Sequence, residues 1–272
     1  MPHSATVRGP ADDAAALRLV SQGEVSVEGR LVDASNATLY CGVSLDGVGG
    51  GCVYKPVAGE RPLWDFPDGT LAAREVATHL MSTATGWHLV PPTVLRDGPF
   101  GPGMCQLWID VDEEQALVDV VPATRLRPGW RCVLEAVDGH GERVARVHAD
   151  DERLRQLALL DAIVNNADRK GGHVLTDRAG RVYGVDHGVS FHVEPKLRTV
   201  LWGWAGEPIT AAERAVLRRV RAELDRGLGV ELAGLLTPAE VAATRARLDR
   251  LLARGRFPQP GHGWPAIPWP AF

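Results

Sequence analysis

Lysine is almost missing from this chain of 272 residues: Lys55, Lys170 and Lys196 stand alone against 27 arginines. Where arginine holds nearly every cationic position, a retained lysine marks a place suited to a compact ammonium rather than a planar fork. The four cysteines, Cys41, Cys52, Cys105 and Cys132, are scattered with no C-x-x-C pair. That excludes the common zinc and dithiol patterns and leaves buried free thiols as the expectation. No run of eighteen apolar residues occurs, which excludes a conventional transmembrane helix. The first ten residues lack the apolar centre of a signal peptide, so a cytoplasmic location is expected. A net charge of −4 excludes a general nucleic-acid binder. Residues 210–256 nevertheless carry ten arginines against six acids, read as a solvated helix face or a surface for an acidic partner. Internal repeats are absent.

What is present is an ordinary globular composition, 45% hydrophobic and 24% charged, long enough for two lobes around a cleft. A short helix is expected over 12–21, then strands at Val25–Val27, Thr38–Val43 and Cys52–Pro56, with turns at Asp46-Gly47 and Gly49–Gly51. Thr70 is the expected cap of a helix from Leu71 to Thr85, followed by strands at Val90–Leu95 and Met104–Ile109. Further on come a short helix near Glu113–Val120, a hairpin within 132–148, and an apolar helix from Asp151 to Val164. Short strands at His173–Leu175 and Val182–Val185 follow, then helices Thr210–Arg226 and Pro238–Arg254. Thr237-Pro238-Ala239-Glu240 reads as a capping box with proline at the first helical position. The expected fold class is α+β and two-lobed. Residues 1–109 form a β-rich N-terminal lobe, 110–256 a mainly helical C-terminal lobe, and 257–272 a Pro/Trp-rich tail.

Two loops carry the chemistry. One is Asn165-Asn166-Ala167-Asp168-Arg169-Lys170-Gly171-Gly172-His173, and the other is Gly184-Val185-Asp186-His187-Gly188. Each holds an aspartate behind an apolar segment. Phosphoryl transfer needs a cover over the phosphates, a cation on them, metal ligands, and a group that positions the nucleophile. Asp168 is the catalytic candidate, able to take the acceptor proton, with Arg169 beside it. Asp186 is the candidate ligand for Mg²⁺ or Mn²⁺, with His173 as a second. Gly188 would give that loop backbone freedom. Lys55, ending the third strand, and Glu75, on the following helix, form a candidate pair for the ATP phosphates; alone, both could equally be exposed. The turn Asp33–Thr38 lies where a phosphate cover would lie. It has no G-x-G-x-x-G, but Ser35 and Asn36 could present backbone N–H groups, or close an ordinary hairpin.

The segments Leu160–Arg169 and Tyr183–Phe191 resemble the catalytic and metal loops of the phosphatidylinositol 3-/4-kinase superfamily, with the type II 4-kinases as the nearest pattern. Gly103–Ile109 is similar to their hinge strand, and the chain as a whole resembles an actinobacterial branch of kinase-like proteins. The resemblance spans roughly residues 30–200 and is most specific at 165–191. It implies a protein-kinase-like fold with ATP between the lobes. Lys55 would then meet phosphate, Gln106, Leu107 and Trp108 would line the adenine pocket, and Asp168 and Asp186 would carry the chemistry. The implied function is an ATP- and divalent-metal-dependent phosphotransferase whose acceptor is a lipid headgroup, a small molecule or a protein hydroxyl.

His173 departs from the family pattern, which has asparagine there. Imidazole suits Mn²⁺ or Zn²⁺ better than Mg²⁺. The departure leaves open an unusual metal preference, a nucleotide-binding pseudokinase, or a protein-modifying transferase such as an adenylylating enzyme. A His/Asp metallohydrolase would favour an H-x-H or H-x-x-x-H pair, which the motif histidines lack. His148, His187 and His192 enrich the neighbourhood, at least two of them expected to be core or surface residues. After the metal loop, Lys196 and Arg198 could receive an anionic acceptor. Trp202 and Trp204 could pack in the core or meet a membrane interface, and Trp264 and Trp269 could dock the tail onto the domain.

Overall fold

The computed structural model describes residues 12–31, 36–261 and 265–269. Ser35, Trp264 and the first half of the proposed phosphate-covering turn lie outside the described residues. The first helix, α1 (Asp13–Gln22), is capped by the Asp12 carboxylate and buries Ala16, Leu19 and Val20 against a five-stranded sheet. That sheet is antiparallel, in the order β1 (Glu24–Arg30), β2 (Leu39–Leu45), β3 (Val48–Pro56), β5 (Gly101–Leu107), β4 (Thr93–Gly98). Alternation along β2 and β3 turns Cys41, Val43, Cys52 and Tyr54 inward, and with Cys105 of β5 three of the four cysteines are buried thiols. Between β3 and β4 the chain forms α2 (Leu71–Thr85), capped by Thr70 at its start and by left-handed Gly86 at its end.

The C-terminal part is built on α3 (Glu152–Val164). From Leu157 to Val164 every residue of α3 is buried, so this helix is the centre of the main core rather than an amphipathic surface element. Around it pack α4 (Ala211–Glu223), α5 (Gly227–Ala233) and α6 (Pro238–Arg254). Capping boxes start both α4 and α6, at Thr210/Glu213 and Thr237/Glu240. A two-stranded ribbon, β9 (Val174–Thr176) with β10 (Val182–Gly184), carries the metal-loop candidate at its end.

A second, three-stranded antiparallel sheet lies in sequence between β5 and α3. Its order is β6 (Val118–Pro122), β8 (Arg143–Ala149), β7 (Trp130–Val137). It corrects the expected helix near Glu113–Val120. Only a single 3-10 turn forms there, over Glu113–Gln115, and Val118–Val120 instead pair with Arg146–His148. The local Glu-Glu-Gln-Ala preference for helix loses because pairing to β8 buries Val118 and Val121. The expected helix end at Arg226 also shifts: α4 stops at Glu223 and a separate α5 begins at Gly227.

Trp204 is buried to 1% and packs on His148 and Phe257, with its indole N–H on Asp150 at 3.0 Å. Core packing is therefore the fate of Trp204. Trp202 donates its indole N–H to Ala266 O at 2.8 Å, tying the tail down, whereas Trp269 is 87% exposed. Trp204→Ala should cost about 3–5 kcal/mol of stability, through lost transfer energy plus the cavity. Urea unfolding monitored by circular dichroism checks this, and a loss below about 1 kcal/mol would contradict the packing described.

Candidate functional site

Lys55 is the meeting point of β3, α2 and the loop after β10. Its ammonium lies 2.7 Å from Glu75 Oε1 and 2.8 Å from Asp186 Oδ1. The three residues are separated by 20 and 131 positions in sequence, so only the fold brings them together. Burial by itself would lower the pKa of Lys55. The Asp186 and Glu75 carboxylates outweigh it and hold the group above its ordinary value. Asp186 is displaced in the opposite direction, chiefly by the Lys55 charge, to well below the usual carboxylate range. Glu75 is buried and uses its second oxygen, Oε2, to accept the His187 backbone N–H at 2.9 Å. One carboxylate thus fixes both the lysine and the candidate metal loop.

Asp186 has a left-handed backbone, φ 60°, uncommon for a residue other than glycine. Its side chain remains 50% exposed. A strained residue presenting an open carboxylate is the kind of arrangement that persists only where the surroundings over-determine it. Gly188 does not need positive φ. A Cβ there would lie 3.1 Å from Leu71 Cβ, so glycine permits the close approach of the loop to the start of α2. At Gly184 a Cβ would meet Arg169 Nη2 and Leu157 Cδ1, both at 2.8 Å.

Arg169 is fully buried. It forms a salt bridge with Asp161 of α3, Nη2 to Oδ1 at 2.9 Å, and donates from Nη1 to the carbonyls of His173 at 3.1 Å and Val185 at 2.9 Å. Its Nη2 also meets His187 Nε2. A guanidinium enclosed in this way touches no substrate. It joins the catalytic-loop candidate to the metal-loop candidate from beneath. Asn166 completes the lock, donating to Asp161 Oδ1 at 3.0 Å and accepting the Asp168 backbone N–H at 2.9 Å. Asp161, Asn166 and His187 escaped the sequence reading as parts of this lock. The available signal was a charged Asp161 within an otherwise apolar helix, because a buried carboxylate demands a partner.

Asp168 itself is half-buried, with Lys170 Nζ 3.4 Å from Oδ2. Burial raises its pKa, opposed by the Lys170 charge and reinforced by Asp186. A raised carboxylate pKa suits a group that accepts a proton. His173 brings Nε2 to 3.4 Å from Asp186 Oδ2, and its buried Nδ1 has no hydrogen-bond partner. Burial pushes its pKa down to about 4, so the imidazole is neutral at physiological pH and can offer a lone pair. Asp186 and His173 therefore fit a divalent ion as a converging pair. Among the described residues no group of three or more such side chains forms, so phosphate oxygens and water would complete the shell, as Mg²⁺ and Mn²⁺ sites commonly allow.

The remaining candidates are more peripheral. Asn36 accepts the Arg61 backbone N–H at 2.9 Å, holding the turn before β2 against the chain after β3. Gln106 is buried, with its amide on Thr93 Oγ1 at 2.8 Å. The Leu107 and Trp108 amides donate to Pro92 and Gly51 carbonyls, and the partly exposed Trp108 ring stands edge-on to Tyr40. Lys196 is buried and paired with Asp65 at 3.0 Å between the Trp64 and Phe66 rings. His148 is a satisfied core histidine.

No protein-family model matches the chain. It is 51% identical over 263 residues to Protein Rv2133c of Mycobacterium tuberculosis, a match covering 93% of this chain and 94% of that protein. Among solved structures, the golgi casein kinase superposes with a TM-score of 0.50 at 13% identity, covering 90% of this chain and 75% of that one. The Helicobacter pylori proinflammatory kinase CtkA covers 87% of this chain and 94% of its own at a TM-score of 0.40 and 9% identity. The fold is kinase-like, with a β-rich N-terminal part and a helical C-terminal part.

The buried histidines give a pH test. His79, His148, His173 and His187 are all lowered from 6.5, in each case mainly by burial. The unfolded chain therefore binds more protons than the native one below about pH 6.5, and stability must fall as pH drops from there toward 4. Denaturant unfolding at several pH values reads this slope; a flat profile across the window would mean that the imidazoles are not buried neutral.

Proposed function

We propose that this chain, which belongs to the protein family of Rv2133c, is an ATP- and divalent-metal-dependent phosphotransferase of the kinase type. The observation that carries the reading is the Lys55 ammonium bonded at once to Glu75 and to Asp186, within a kinase-like fold. A lysine fixed by a helix carboxylate, beside an open carboxylate, is the arrangement that receives nucleotide phosphates and their counter-ion. We place the chain nearest the phosphatidylinositol 3-/4-kinases on the pattern at 165–191, and divide it at 109 and 256. We infer a cytoplasmic location; among the described residues no helix is long and apolar enough to cross a membrane.

Each residue then has a task. Lys55 binds phosphate oxygens, and Glu75 holds it in position. Asp168 accepts the proton of an acceptor hydroxyl as its oxygen attacks the γ-phosphorus and the bond to the β-phosphate oxygen breaks, releasing ADP. Lys170, next to Asp168, can offset charge on the transferred group. Asp186 and His173 would hold the metal, which when bound supplies charge neutralisation at the phosphates. Arg169 positions both loops. Gln106, Leu107 and Trp108 edge the adenine side, and the turn to which Asn36 belongs, with Ser35 in its sequence, is the proposed cover for the phosphates. The acceptor is a hydroxyl of a lipid headgroup, small molecule or protein.

Lys55→Ala should weaken ATP binding by about tenfold or more, since a charge-assisted contact is lost. Calorimetry reads the change, and unchanged affinity would remove Lys55 from the site. Asp168→Ala should retain nucleotide but stop transfer, whereas Asp186→Ala should lose metal-dependent binding. Wild-type ATP turnover by Asp168→Ala would refute its role as base. If the wild-type protein binds ATP without consuming it, the pseudokinase alternative replaces the enzyme; a mass increase corresponding to AMP on a product would select adenylylation.

His173 should set the metal. Neutral imidazole binds Mn²⁺ better than it binds Mg²⁺, so His173→Asn should move the preference toward Mg²⁺. Titrating each ion into both proteins with a non-hydrolysable ATP analogue measures the ratio. An unmoved ratio would show that His173 ligates nothing.

A further inference from the structure

Arg74, next to Glu75 on α2, is a buried charged residue that the phosphotransfer chemistry leaves unused. It is 2% exposed. Its Nη1 donates to the Ser190 carbonyl at 2.9 Å and pairs with Glu240 Oε1. Its Nη2 donates to the Asp68 carbonyl at 2.8 Å, and its guanidinium lies 5.0 Å from the centre of the Phe66 ring. The four contacts come from three places: the chain just past the metal loop, the first turn of α6, and the connection before α2, which supplies both the Asp68 carbonyl and the Phe66 ring.

Glu240 is equally committed. Its other oxygen accepts the Thr237 backbone N–H and hydroxyl, both at 2.9 Å, closing the capping box of α6. The pair therefore joins the helix that carries Glu75 to the helical part of the molecule through a fully buried charge contact. Swinging α2 outward would leave two buried charges without partners, which is strongly disfavoured. Nothing comparable is needed merely to form α2, which has Thr70, Gly86 and a well-buried face for that purpose.

We propose that Arg74 and Glu240 act as a positioning pair that bolts α2 in its inward position, so that Lys55, Glu75 and Asp186 stay assembled before any nucleotide arrives. The site then needs no activating modification to assemble it. Release of the bolt would separate Glu75 from Lys55 and from the His187 N–H. Lys55 would fall back onto Asp186, where its charge competes with a metal ion. This inference rests on the phosphotransferase reading only for its effect on nucleotide; the position of α2 can be tested without it.

The test uses Arg74→Met together with Glu240→Gln in the full chain. Removing both charges avoids an orphaned ion, and glutamine keeps an acceptor for the α6 cap. Hydrogen exchange without nucleotide should show the amides of 71–85 losing protection by about tenfold or more, while 152–164 are unchanged. ATP-analogue affinity should fall by about tenfold, with KM for ATP rising more than kcat falls. Arg74→Lys keeps the charge but not the fork. It should fall between the two proteins in both readouts, and it carries the test if the double variant does not fold. A folded variant with native protection over 71–85, or with loosened α2 and unchanged affinity, overturns the bolt. A wild-type protein that binds no nucleotide overturns the phosphotransferase reading instead, and leaves the exchange result to decide the bolt.

Discussion

The site depends on one cation held between two carboxylates. Lys55 alone would be disfavoured by burial, and Glu75, enclosed in α2, would be worse placed still. Together with Asp186 they satisfy one another, and the three elements that carry them become a unit. The grouping has one positive and two negative charges. Its surplus is negative and sits on the half-exposed member, Asp186. A divalent ion could relieve that surplus, and phosphate oxygens could exchange with Asp186 on Lys55. The geometry is thus complementary to a metal–phosphate ligand before such a ligand is present, and little reorganisation is required on binding.

Beneath this grouping lies a second charge network that does no chemistry. Asp161, Arg169, Asn166 and His187 are all buried, and their bonds run from α3 to both functional loops. The division of labour follows from exposure. The partly exposed groups, Asp186 and Asp168, keep part of their carboxylates open, whereas the enclosed groups spend their bonds on backbone carbonyls and on each other. Asp186 can hold its left-handed conformation because carbonyl Val185 and amide His187, on either side of it, are fixed by Arg169 and Glu75.

This division also explains what could be seen in the sequence. Local signals were legible: Thr70 before a helical pattern, the Thr237–Glu240 box, the alternation of β2 and β3, and polar loops after apolar segments all appear where expected. The pairing of Lys55 with Glu75 was legible only as part of an ordered series of loops. Long-range partners were not. No periodicity links Arg74 to Glu240 across 166 residues, and Arg169 in a catalytic-looking loop gives no sign that it faces inward. The helix expected near Glu113–Val120 failed for the same reason: local preference was read, while the β8 partner that decided the outcome lay elsewhere.

The acceptor side shows how burial reassigns a charged residue. Lys196, in the segment after the metal loop, suggested a receptor for an anionic acceptor. Its side chain is 5% exposed, and Asp65 already neutralises it between two aromatic rings. Its backbone amide is fixed as well, on Asn165 Oδ1 at 2.9 Å, three residues before Asp168. Lys196 therefore closes the connection before α2 onto the loop that carries Asp168, and its ammonium is already neutralised. Near Asp168, Lys170 remains partly exposed, and Arg198 contributes a second positive field. On the proposed phosphotransfer reading, selection of an acceptor falls to these groups and to the surface that the Lys196–Asp65 contact holds in shape, including the exposed Trp64 ring. On that reading, acceptor choice and the seating of α2 are linked through one short connection, residues 57–70, which ends at the helix bearing Glu75.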